Sequence, residues 1–279
     1  MKEMISIIVP VYRAAAYIGQ SIAMVEAQTW QAWELLLVDD CSPDDSVEVI
    51  RGILGNRSAG QRDHVPAEDA AKPSGVETEE YTGAGGQKIT LIRKRRNEGA
   101  AQARNTGLAM AQGRYIAFLD ADDVWYPHKL EKELRFMRER QTGFVFTAYE
   151  FGDEQAKPTG RVVHVPARLT YREALSRTVI FTTTVLFDRE KIPDRLLRMP
   201  VVESEDTATW WQILREGYMA CGLDEVLAVY RRPARSLSSN KLAAVRRIWN
   251  LYRRQEKLSV AASAWYFVMW AYRATKRRI

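Results

Sequence analysis

Carboxylates gather at three places in the 279-residue sequence: Asp39-Asp40, Asp120-Ala121-Asp122-Asp123 and Glu203-Ser204-Glu205-Asp206. Crowded carboxylates repel by several kcal/mol unless a cation, protons or strong donors offset them. A hard divalent ion suits such a cluster, because Mg2+ or Mn2+ prefers oxygen ligands and usually takes one or two protein carboxylates, leaving its other positions to water and diphosphate. The plainer alternative is a pair of helix N-caps and a solvated acidic loop. Two of the clusters end runs of apolar residues, Glu34-Leu-Leu-Leu-Val38 and Tyr115-Ile-Ala-Phe-Leu119. Ligands of open parallel sheets bind outside the carboxyl ends of the strands, so both clusters should face one crevice. Other chemistries lack a foothold. There is no Walker A stretch and no GxGxxG after the first apolar run, the histidines at 64, 128 and 164 are scattered, and Cys41 and Cys221 have no metal-ligand spacing.

The elements that must position these acids read as alternating strands and helices. Residues 4–10 form a short β-branched run closed by Pro10, the pattern of a strand buried on both faces. Helical spacing over 17–25 and a second apolar run to Val38 complete a parallel βαβ opening, and Ser42 to Ser46 supply capping residues for a second helix. Between 55 and 88 the pattern dissolves into Gly, Ala, Pro, Glu and Gln, which predicts a poorly ordered insertion. A third strand at 89–92, a helix over 100–110 and a fourth strand at 115–119 follow. Further strands are expected at 144–148 and 183–187, with a helix over 207–216. The fold class expected is α/β, a Rossmann-like, mostly parallel sheet flanked by helices, with a C-terminal helical tail.

Four segments carry a family resemblance: Ile7-Ile-Val-Pro-Val-Tyr12, Leu37-Val-Asp-Asp-Cys-Ser42, Asn97-Glu-Gly-Ala-Ala-Gln-Ala-Arg-Asn105 and Tyr115-Ile-Ala-Phe-Leu-Asp-Ala-Asp-Asp123. In this order they resemble the successive motifs of inverting family 2 glycosyltransferases of the kind that build bacterial cell-surface polysaccharides. The resemblance implies a GT-A fold, with residues 1–240 as catalytic domain, 1–125 as its nucleotide-binding half and 126–240 as its acceptor side. It also implies that Pro10, Tyr12, Asp40, Asn97 and Arg104 hold the nucleoside, that Asp120 lies by the ribose, and that Asp122 ligates Mg2+ or Mn2+. Glu203-Ser-Glu-Asp206, followed by Trp210, resembles the family's ED motif. Asp206 is then the general base, with Glu205 as neighbour and possible substitute. Tyr230-Arg231 and Ser236-Leu-Ser238 resemble a late loop that closes over the donor diphosphate. Pro233 stands where many relatives carry histidine, so Arg231, Arg232 and Arg235 remain alternatives for the phosphate contact. The implied donor is a nucleotide sugar, UDP-linked by default, and the implied acceptor is a hydroxyl of a glycan or lipid-linked glycan.

Two other functions fit parts of the pattern. A nucleotidyltransferase shares the α/β core and metal carboxylates, but needs a Gly-rich basic loop where Val11-Tyr-Arg-Ala-Ala-Ala16 stands. A non-catalytic sugar-nucleotide-binding scaffold would not need Asp122 and Asp206.

Charge is uneven. The chain sums to +6, yet from Arg246 to the end nine basic residues face Glu256 alone, so the remainder is net acidic. Within the tail, 241–279, residues 258–272 carry no charge and include Trp265, Tyr266, Phe267, Trp270 and Tyr272. As a helix, that run spans about 22 Å, short of a bilayer core of about 30 Å. It reads as an interfacial helix contacting an anionic membrane, with packing onto the catalytic domain as the alternative. No nucleic-acid partner is expected, because the rest of the chain offers no basic groove. The apolar run at the N-terminus is too short for a signal-peptide core, which leaves a cytoplasmic protein, peripheral on the inner face of the membrane.

Overall fold

The computed structural model describes residues 2–55, 75–232 and 241–276. Along the chain run β1 (Lys2–Val11), α1 (Ile18–Glu26), β2 (Trp33–Asp39), α2 (Ser46–Gly55), β3 (Val76–Thr82), β4 (Lys88–Lys94), α3 (Ala100–Met110), β5 (Gly113–Phe118) and β6 (Val124–Trp125). The second half adds α4 (Lys129–Arg140), β7 (Phe144–Gly152), β8 (Pro158–Val163), β9 (Arg168–Leu169), α5 (Tyr171–Leu175), β10 (Val185–Asp188), α6 (Asp194–Leu197), α7 (Glu205–Arg215) and β11 (Ala220–Arg231). The tail is α8 (Lys241–Asn250), a π-helical turn Leu251–Gln255 and α9 (Val260–Lys276).

One sheet holds the strands in the order β3-β4-β2-β1-β5-β10-β7-β11-β6, with β8 beside β7 and β9 beside β11. Strands β4, β2, β1 and β5 are parallel, as are β7 and β11, while β10 runs antiparallel between the two sets. Parallel central strands must bury both faces, and β2 is buried at all seven positions. From β1 the chain winds outward through β2 to β4, then returns to lay β5 on the other side of β1. That reversal opens a crevice at the carboxyl ends of β1 and β5. Two apolar cores, one on each face, hold the helices in place. Helix α3 lies close on the sheet because Gly107 has no side chain: a Cβ there would meet Ile8 Cγ2 at 2.5 Å.

The expected poorly ordered insertion, 55–88, needs correction. Residues 56–74 lie outside the described residues, but β3 pairs antiparallel with β4 along its whole length. Its polar composition conceals an edge strand secured by the ladder and by ion pairs, Glu79 with Arg51 of α2, Glu77 with Arg93 and Glu80 with Lys88. The tail also departs from a free interfacial segment. Ile248, Leu251 and Tyr252 are buried in the core, and the Tyr252 ring stacks on Trp211 with centroids 5.3 Å apart.

Candidate active site

Two neighbouring strands, β1 and β2, end in forced turns. Arg13, just past β1, and Cys41, just past β2, have φ of 53° and 59°, the left-handed region that non-glycine residues seldom enter. Such residues cluster at ligand sites, where the surrounding structure holds them. Half-buried Pro10 and exposed Tyr12 line the rim. Asp40 is buried and accepts from Lys94 Nζ at 2.5 Å and from the Glu98 and Gly99 amides. It thereby secures the turn into α3, so any contact with a base would be shared with these donors. Asn97 is exposed, its Oδ1 accepting from the Gly99 amide. Gly99, at φ 85°, begins α3.

Arg104, buried on α3, joins two of the three acidic clusters. Its Nη2 donates to Asp120 at 2.5 Å and its Nη1 to Glu205 at 2.9 Å. Burial alone would lower the Arg104 pKa, but Asp120 and Glu205 outweigh it and raise the value. Arg104, one of the residues expected to hold the nucleoside, is engaged by these two carboxylates. The neighbouring Asn105 fixes the 199–204 loop through a two-way pair of hydrogen bonds with the Met199 backbone, both at 2.8 Å. Glu205 and Asp206 open α7 behind Ser204, itself left-handed at φ 62°. Burial pushes the Glu205 pKa up, with Arg104 opposing and Asp206 adding to the rise. Asp206 differs from its neighbour: among the described residues it has no ion pair, and Thr182 Oγ1 donates to it at 3.2 Å.

The Asp120-Ala121-Asp122-Asp123 turn is held from two sides. On one, Thr183 Oγ1 accepts from the Asp120 amide and donates to Asp123 Oδ2, while Trp125 Nε1 donates to the Thr183 carbonyl. On the other stands Arg231. Of the three arginines considered for the diphosphate, Arg231 donates through its Nε, Nη1 and Nη2 to the Asp122 carbonyl, the Glu154 carbonyl and Gln20 Oε1. Its guanidinium also lies 4.7 Å from the Tyr17 ring centroid. These contacts hold the turn. Arg232 stacks on Phe151, and Arg235 and Ser236 lie outside the described residues.

Burial and the neighbouring Asp120 raise the Asp122 pKa, and burial drives that of Asp123 well above the ordinary carboxylate value. Among the described residues no other side chain hydrogen-bonds or ion-pairs with the Asp122 carboxylate. It is half-buried, crowded and acceptor-only when ionised, which fits one ligand of a hard divalent ion. No three His, Cys, Asp or Glu side chains among the described residues converge on such a position, so an ion there draws most of its ligands from diphosphate and water. Sequence reasoning missed Lys94, Thr182 and Thr183. Only the buried lysine closing β4 and the Thr182-Thr183-Thr184 run hinted at them.

A crevice at a sheet's switch point, with one free carboxylate on a clamped turn and a second acid at a helix start across a shared arginine, is the arrangement of a nucleotide-sugar transferase of the GT-A class. Solved structures agree on the fold. A mannosyltransferase of Pyrobaculum calidifontis, solved with GDP-Man and Mn2+, superposes with a TM-score of 0.67 at 18% identity over 97% of this chain and 74% of its own. S. aureus TarS (residues 1–349), solved with UDP-GlcNAc, gives 0.63 at 16% identity over 96% and 71%. The profile described as glycosyl transferase family 2 matches residues 6–62 and 72–194, and the chain belongs to that family. Among relatives, the putative teichuronic acid biosynthesis glycosyltransferase TuaG of Bacillus subtilis is 36% identical over 100% of this chain and 98% of its own length. The Escherichia coli UDP-Glc:alpha-D-GlcNAc-diphosphoundecaprenol beta-1,3-glucosyltransferase WfgD is 31% identical over 89% and 85%.

Proposed function

We propose that this glycosyltransferase moves a sugar from a UDP-sugar to a hydroxyl of a lipid-diphosphate-linked glycan, with inversion and with Mg2+ or Mn2+. The observation that carries the reading is the Arg104 bridge, which brings the Asp120 and Glu205 carboxylates to one guanidinium and so sets the donor-side turn beside the candidate base. The relatives' names support the donor and the acceptor. Pro10, Tyr12, Asp40 and Asn97 bound the nucleoside side, Asp120 sits by the ribose, and Asp122 holds the ion. Bound there, the ion neutralises charge on the departing diphosphate. Asp206 takes the acceptor hydroxyl proton while that oxygen bonds to the anomeric carbon. The bond from that carbon to the diphosphate breaks on the opposite face, through an oxocarbenium-like transition state. Glu205 stays paired with Arg104 and positions it. Ser236, outside the described residues, contributes to binding the diphosphate. The enzyme works in the cytoplasm, peripherally on the inner membrane face, within reach of a lipid-linked acceptor.

A thermal-shift panel of UDP, GDP and dTDP with and without Mn2+ tests the donor side. A ligand at 100 times its Kd stabilises by about 2.7 kcal/mol. UDP with Mn2+ should raise the melting temperature most. Equal shifts from all three nucleotides, or none from UDP, would overturn the donor assignment.

A further inference from the structure

Helix α9 divides the aromatic tail residues between two faces. Tyr266, Phe267 and Trp270 pack against the core, Trp270 Nε1 donates to Thr178 Oγ1 at 3.1 Å, and Arg273 Nη1 donates to Ser176 Oγ at 2.6 Å. Facing away are Val260, Trp265, Val268 and Tyr272, 61%, 65%, 62% and 64% exposed, together with exposed Ala261 and Ala264. At steps of three and four residues they form one stripe along the helix. A helix face made for water carries charge at such positions, and this one carries none over 260–272.

The surrounding charge selects the partner. Exposed Arg246, Arg254 and Lys257 precede the stripe, and Lys276-Arg277-Arg278 follow it in sequence. The one acid in that stretch, Glu256, is withdrawn: its side chain is 1% exposed and accepts from Arg215 and from the Tyr171 hydroxyl. With no helix long and apolar enough to span a bilayer among the described residues, and one face of α9 already occupied by protein, the outward face has only an in-plane mode open to it. We propose that the Val260, Trp265, Val268 and Tyr272 face of α9 beds into the interface of an anionic lipid bilayer. This rests on the lipid-linked acceptor reading and adds a place for it. Helix α9 is bonded to residues 176 and 178, and the chain runs from there to Thr182, which bonds the candidate base Asp206. Membrane contact and acceptor chemistry are thus joined by one short segment, which would set the base near headgroup level.

The test is flotation of full-length protein with vesicles of phosphatidylglycerol and phosphatidylcholine, or of phosphatidylcholine alone. Wild type is compared with the triple variant Trp265→Ser, Val268→Ser, Tyr272→Ser, and the Mn2+-UDP thermal shift is read in parallel. Wild type should float with the anionic vesicles at low salt and little with the neutral ones. The triple variant should lose flotation by tenfold or more while keeping the UDP-linked shift. That retained shift separates a failed membrane face from a failed donor reading. If the triple variant melts without a UDP response, Val268→Asp alone, at an exposed position, takes its place with the same expectation. Equal flotation of variant and wild type, or no flotation of wild type, would overturn the proposal. So would conversion of a wild-type dimer to monomer by the substitutions, since the face would then serve a second copy.

Discussion

Adjacent carboxylates at the start of α7 have different neighbours, and that difference separates their roles. Glu205 pairs with Arg104, whereas Asp206 accepts, among the described residues, from the Thr182 hydroxyl and its local backbone. Asp206→Asn should therefore keep Mn2+-UDP affinity while lowering turnover by about 10² to 10⁴, the usual worth of general-base help. Titration and single-turnover rates check it, and near-normal turnover would move the base elsewhere. Asp122 sets a pH dependence. Burial, with the charge of Asp120, raises its pKa above that of an ordinary aspartate, so its folded state holds the proton to higher pH than the unfolded chain does. Free of metal, the protein gains stability from this group as pH falls through the raised value. Metal binding has the opposite sign, because the ion needs the ionised form. Mn2+ affinity should weaken on acidification before an ordinary aspartate titrates, and Asp122→Asn should remove that dependence along with most of the affinity. As candidates, Asp122, Asp206 and Arg104 were legible because they lie in short motifs. The task of Arg231 was not: whether a buried guanidinium meets phosphate or backbone carbonyls depends on what Gln20 and Glu154 present to it, and those contacts span the fold.

Among the elements, the apolar strands and α3 could be read from pattern, because burial on both faces leaves continuous β-branched runs. Strand β3 could not, since an edge strand stabilised by Glu79, Glu77 and Glu80 pairing with basic neighbours resembles solvated coil in composition. Removing residues 76–82 should uncover the β4 edge and promote aggregation, measurable by light scattering. Helix α4 was also missed, and it supports the site from behind. Lys129 and Glu133 are fully buried as an ion pair, Lys129 Nζ lies 4.3 Å from the Trp125 ring centroid, and the Trp125 N–H holds Thr183. Trp125→Phe keeps an aromatic side chain but is smaller and lacks the N–H that the buried Thr183 carbonyl accepts. It should cost about 1–3 kcal/mol and raise the donor KM, which melting and initial rates will show. Burial pushes the Glu133 pKa up to about 7 from 4.5, despite Lys129. Between those values the folded state binds more protons than the unfolded chain, so this group's contribution to stability declines as pH rises. Glu133→Gln should flatten that part of the melting profile.

At the scale of the whole molecule, the parallel set β4-β2-β1-β5 and the parallel pair β7-β11 share one sheet, with antiparallel β10 between them and Arg104 joining Asp120 and Glu205. The order of apolar runs made the parallel first half of the sheet legible. The docking of the tail was not, because the same aromatic residues suit a core and a lipid interface, and only packing assigns Trp270 inward and Trp265 outward. The central claim is metal-assisted sugar transfer at the clamped Asp122 turn. Its most direct test is UDP release from UDP-glucose with a GlcNAc-diphosphoryl-lipid acceptor, in Mn2+ and in EDTA, for wild type and Asp122→Ala. Wild type should turn over in Mn2+ and fall by at least about 10²-fold in EDTA, the scale of several kcal/mol of leaving-group stabilisation, and Asp122→Ala should remain low in both. Equal turnover of wild type in Mn2+ and EDTA, or Mn2+-stimulated turnover by Asp122→Ala, would contradict it.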